Sequence, residues 1–160
     1  MANEESTDSA TESGEEQVRQ FRVHTLYIKD ASFEAPNTPQ VFREQWTPEL
    51  GVELRTAAKS IAESDFEVTV SLTVTAKLQS NTAYLVEVHQ AGIFGLEGYT
   101  DQERTAMLGV HCPQMLFPYA CEAAASLVRK GSFPQLTLAP VNFERLFRES
   151  QQKTGQPLAS

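Results

Sequence analysis

The sequence is short of positive charge, of cysteine and of long apolar runs. Thirteen Lys and Arg stand against 21 Asp and Glu in 160 residues. With no cationic excess to neutralise phosphates, nucleic acid is not an expected partner. Cys112 and Cys121 are too few for a disulfide framework. Nine positions apart in helix, they stand about 180° from each other, so both are expected as reduced thiols. No apolar run approaches the roughly 18 residues of a membrane span, and the start of the chain lacks the basic and apolar regions of a secretory signal. A cytoplasmic protein without direct membrane insertion is expected. Phosphate-cradling glycine loops, GxSxG elbows and HExxH helices are also missing. His24, His89 and His111 fall on different predicted elements, so no metal site is expected. The chain offers no positive case for an enzyme or a cofactor.

What charge there is lies unevenly. Glu4, Glu5, Asp8, Glu12, Glu15 and Glu16 supply six of the eight excess negative charges, and residues 1–17 contain no Lys or Arg. This segment has almost nothing to bury, so a disordered acidic tail is expected over 1–17. The remainder, 18–150, suffices for one domain with its own core. Residues 151–160 are expected as a flexible tail.

Strand signals dominate the first half. Residues 21–28 (FRVHTLYI) are β-branched and aromatic, with Phe21, Val23, Thr25 and Tyr27 assigned to one face. Residues 29–39 carry Asp, Asn and Pro and are expected as an irregular segment presenting Asp30 and Glu34. Leu50, Val52 and Leu54 alternate with polar positions, which predicts a strand buried on one side. From Phe66 to Leu78 apolar and polar residues alternate without a break. A polar turn at 79–81 then joins this strand to 82–90 as a hairpin. In the returning strand Tyr84, Val86 and Val88 point to the apolar side, while Leu85, Glu87 and His89 point away. The glycines of 91–98 suggest a bend or close backbone approach.

Helical signals dominate the second half. Thr100 and Glu103 form a capping box. Pro113 and Pro118 predict two helical pieces, separated or kinked between Cys112 and Pro118. The second piece carries Leu116, Ala120, Ala123 and Leu127 beside Phe117, Cys121, Ala124 and Val128, a stripe too wide for packing on one sheet alone. Gly131 ends it. A proline-punctuated crossover over 132–141 then leads to a short helix with Phe143, Leu146 and Phe147 on one face.

CPQMLFPYA (112–120), GSFPQLTLAPVNF (131–143), AGIF (91–94) and KDASFEAPNTPQVF (29–42) together resemble the SecB family of bacterial protein-export chaperones. The resemblance covers roughly residues 20–148 in the same order. It implies an α+β fold: a four-stranded antiparallel sheet with a long, broken helix and a short C-terminal helix packed against it, assembled as a dimer-of-dimers tetramer. It also implies an ATP-independent holdase that keeps precursor proteins unfolded and passes them to the SecA translocation motor. The positions matching the family's SecA contacts are Asp30, Glu34, Leu85 and Glu87. A groove for unfolded clients would expose Trp46, Leu50, Val52, Leu54, Tyr84, Val86, Phe143, Leu146 and Phe147. Two other readings stay open: a SecB-like chaperone dedicated to one partner, such as a toxin–antitoxin component, and a small-ligand-binding domain.

Overall fold

A computed structural model describes residues 18–154. The acidic tail expected over 1–17 and the end of the chain beyond 154 lie outside the described residues. In order, the elements are β1 (Gln20–Glu34), a 3-10 turn (Gln40–Arg43), β2 (Glu49–Ser60), β3 (Asp65–Leu78), β4 (Asn81–Glu97), α1 (Asp101–Ala106), a π-helical turn (Met107–His111), α2 (Cys112–Lys130) and α3 (Phe143–Thr154). The strands form one antiparallel sheet ordered β1-β4-β3-β2.

The alternation in β3 fixes the two sides of this sheet. Phe66, Val68, Val70, Leu72, Val74, Ala76 and Leu78 are all buried, while Glu67 to Thr75 on the other side are half-buried. Burying each large apolar side chain contributes about 1.5–3 kcal/mol, so a one-residue slip would reverse a favourable row. β4 follows through a two-residue turn, Gln79-Ser80, which leaves Leu78 opposite Asn81. Its Tyr84, Val86 and Val88 join the buried inner side. α2 lies across β4 and β3, burying Leu116, Ala120, Ala124 and Val128 against them.

Several local expectations are corrected or narrowed. β1 continues through Lys29 to Glu34 instead of ending at Ile28, because β4 offers these residues backbone partners in the ladder in place of water. Its faces also differ from the simple period of two. Register shifts between Val23 and Thr25 and between Ile28 and Asp30 insert two bulges. Phe21 and Val23 therefore lie in register with inner-side positions of β4, and Thr25 and Tyr27 with outer-side ones. The glycine-rich stretch 91–98 stays within β4 as far as Glu97 and does not turn out of the sheet there. Gly92 instead admits a close approach, since a Cβ there would stand 2.8 Å from both Leu26 and the Phe94 ring.

The helical break also lies upstream of its expected place. α2 runs unbroken from Cys112 to Lys130 with Pro113 in its first turn and Pro118 inside it, and the irregularity is the π-helical turn before it. Pro113 has no N–H for the carbonyl of Gly109, and the helix widens where that bond is missing. Finally, residues 151–154 are the last turn of α3 rather than the start of a tail.

Candidate functional site

On the outer side of the sheet, the register of β1 on β4 decides which side chains meet. Glu34 stands opposite Leu85, Ser32 opposite Glu87 and Asp30 opposite His89. The bulge at Lys29 makes this possible, because without the inserted residue Asp30 and Glu34 would turn to the inner side. Asp30, Glu34, Leu85 and Glu87 thus fall on one continuous patch although they come from two separate stretches of sequence. Glu87 is paired with His89, Nε2 to Oε1 at 2.6 Å. Thr75, Thr73 and Ser71 of β3 continue the three rows.

Higher on the same side, Glu67 gathers three partners. It accepts hydrogen bonds from Lys29 Nζ at 2.8 Å and from the Tyr27 hydroxyl, with Lys59 at 3.7 Å. The hydrogen bond from Lys29, reinforced by Tyr27, holds the Glu67 carboxyl below its ordinary value, and the same contact with Glu67 pushes the Tyr27 hydroxyl up to about 12. Lys29 is therefore engaged by Glu67 beside the patch and does not cancel Asp30.

The inner side is apolar and changes from covered to open across the sheet. The register gives rows Leu50–Ala76–Tyr84, Val52–Val74–Val86–Phe33 and Leu54–Leu72–Val88–Ala31. Their β3 and β4 members are buried, whereas Leu50 and Val52 on the edge strand are 47% and 50% exposed. The expected burial of β2 on one side is thus corrected: α2 covers the centre of the sheet and leaves this edge open. Tyr84 and Val86 are likewise corrected as exposed groove residues, since their exposures of 1% and 0% make them floor rather than surface.

Around Tyr84 the structure assembles rings that lie far apart in the sequence. Trp46 stacks on Tyr84 at 6.2 Å, and Phe133 lies 5.1 Å from Tyr84, 5.7 Å from Trp46 and 5.2 Å from Phe42. Phe33 completes the cluster from β1. Its ring passes so close to Gly131 that a Cβ there would stand 2.5 Å from it. Phe33, Phe42 and Phe133 were not among the expected groove residues. The alternation of Ala31 and Phe33, which pair with Val88 and Val86, is the signal the sequence carries, and the Asp, Asn and Pro punctuation of 29–39 masks it.

Phe143, Leu146 and Phe147 do not join this cluster. Phe143 is buried edge-to-face on Phe117 at 5.6 Å, Phe147 lies on Gly109, and Leu146 is exposed. About fourteen residues of helix, roughly 21 Å, separate Phe117 from the Gly131 end where Phe33 and Phe133 sit. The nine expected groove residues therefore occupy two regions, an aromatic one with β2 and a helical one at α3.

Two cysteine thiols complete the inventory. Both are free, and burial pushes the Cys112 thiol up to about 12 and raises that of Cys121. Among the described residues no group of three or more His, Cys, Asp or Glu could hold a metal ion, and no helix is long and apolar enough to cross a membrane.

An apolar face that opens at a sheet edge, backed by a face with an acidic patch on the same strands, defines an α+β domain suited to contact with other polypeptides. Comparison with known proteins narrows this class. The chain belongs to the SecB family: the family model for preprotein translocase subunit SecB matches residues 14–154. A protein-export protein SecB of Nitrosococcus oceani is 48% identical, covering 96% of this chain and 93% of its own length. Another from Methylococcus capsulatus is 46% identical, with 91% and 94% covered. The fold is shared with a SecB-like chaperone of Mycobacterium tuberculosis solved with a ChAD peptide from the HigA1 antitoxin. That likeness has a TM-score of 0.59 at 20% identity over 76% of this chain and 91% of the other.

Proposed function

We propose that this chain is an ATP-independent export chaperone of the cytoplasm, which holds unfolded precursor proteins on its inner apolar surface and presents them to the SecA motor through its outer face. Trp46, Leu50, Val52 and Leu54, over a floor of Tyr84 and Val86, receive client segments, with Phe143, Leu146 and Phe147 as a second apolar station. Non-directional hydrophobic burial allows such a surface to take many sequences. Asp30, Glu34, Leu85 and Glu87 meet SecA. Four copies form a dimer of dimers, and several surfaces on one particle add avidity for a long client.

The observation that carries the reading is the opposition of faces on β4: Leu85 and Glu87 lie on one side, Tyr84 and Val86 on the other. Exposed apolar side chains on β1 and α2, Ile28 at 52% and Tyr119 at 53%, support assembly with further copies. The test is light scattering of an aggregating unfolded precursor without nucleotide. Suppression at one tetramer per client is expected, with native mass spectrometry reporting the tetramer. Undiminished aggregation at that ratio would sink the proposal.

A further inference from the structure

His89 is not among the residues expected to meet SecA, yet it stands inside that patch. In the rows Asp30–His89–Ser71, Ser32–Glu87–Thr73 and Glu34–Leu85–Thr75, three of the nine side chains are carboxylates and His89 is the single ionisable base. Its Nε2 lies 2.6 Å from Glu87 Oε1, and its Cα partner across the strand pair is Asp30. With Glu87 ionised, the ring presents Nε2–H to that carboxylate, because a carboxylate only accepts. The imidazole thus restrains one of the patch's carboxylates while both groups remain partly exposed.

Other charges face the ring from every neighbouring strand. Glu87 shares its own strand β4, Asp30 and Lys29 come from β1, Glu67 from β3, and Lys59 from β2 across a shallow depression that His89 also lines, while Arg55 and Glu53 of β2 extend the Ser71 and Thr73 rows with one charge of each sign. Glu67 already holds both lysines. The base hydrogen-bonded to a carboxylate of the rows is the imidazole, and histidine is the side-chain type that ordinarily gains or loses its charge between about pH 5 and 8.

Resting on the reading of the outer face as the SecA surface, we infer that His89 is a positioning residue of that surface: it fixes the Glu87 carboxylate for a cationic partner and, when protonated, lowers the charge of the rows from −3 to −2. Association with a basic partner surface then weakens as pH falls. Loss of one rim charge acts mainly on the association rate and on its salt dependence.

The full-length protein, H89Q and H89A are titrated with purified SecA by calorimetry at about pH 8 and about pH 6, after a near-ultraviolet spectrum verifies folding. Glutamine can still donate to Glu87 but cannot take up a proton. Between the two pH values the wild-type affinity is expected to fall about two- to fivefold more than that of H89Q. Any change that SecA itself contributes is common to both proteins. H89A, which releases Glu87, should bind more weakly than H89Q at pH 8. A wild-type pH ratio in H89Q, or equal binding by H89A and H89Q, would overturn the role of His89 while the patch still binds. No binding by the wild type at either pH would overturn the reading of the outer face, and the inference with it.

Discussion

Cys112 illustrates how far a single side chain's surroundings set its chemistry. Burial at the start of α2 keeps its thiol protonated until about pH 12, against an ordinary value of 9.0, and it is the thiolate that reacts with alkylating reagents. Cys112 should therefore resist iodoacetamide at neutral pH and react only on unfolding, as peptide mass spectrometry would report. The sign of the pH effect on stability follows from linkage. Below the ordinary value folded and unfolded thiols are both protonated and the stability is intact; as pH rises from about 9 towards 12 the unfolded thiol ionises first, so stability falls. Glu67 acts oppositely. Its lowered carboxyl favours the folded state at neutral pH, and that contribution is lost as pH falls from about 4.5 through the folded value. Thermal melts across both ranges should give a maximum between them. Phe133 is a third residue with a measurable role, because it touches four other rings. Phe133→Ala should cost about 3–5 kcal/mol in denaturant unfolding.

Among the elements, those with unbroken periodicity were legible and those made by pairing were not. β3 and the β3–β4 hairpin follow directly from alternation, and α3 from its 3.6-residue stripe. The second half of β1 was missed because Asp30, Asn37 and Pro36 read locally as loop, while a neighbouring strand holds residues up to Glu34 extended. The bulges at His24 and Lys29 have no local signature in the hydrophobic pattern, yet they decide which residues share the outer face. That Asp30, Glu34, Leu85 and Glu87 share one patch was legible only through family resemblance. The aromatic cluster around Phe133 required the tertiary structure, since its members come from β1, the following loop, β4 and the crossover. The π-helical turn carries a prediction of its own. A Cβ at Gly109 would meet the Phe147 ring at 2.5 Å, so Gly109→Ala should push this ring aside and loosen α3. Hydrogen exchange over 143–154 should accelerate while β3 remains protected.

At the scale of the whole molecule, the sheet is a partition with different chemistry on each side. Leu85→Arg puts a cation among the acidic rows of the outer side and leaves the inner rows untouched. It should weaken SecA association at least tenfold, a loss of about 1.4 kcal/mol or more, while suppression of precursor aggregation is retained. Trp46→Ala should do the reverse, reducing client capture with SecA association preserved. Equal loss of both activities in either variant would contradict separate faces. The most direct measurement loads the wild-type protein to saturation with a permanently unfolded, reduced and alkylated protein and then titrates SecA, with sedimentation velocity following the complexes. Separate faces predict a ternary species and a SecA affinity within about threefold of that of the unloaded protein. Displacement of the unfolded chain by SecA, in proportion to the SecA bound, would contradict the account.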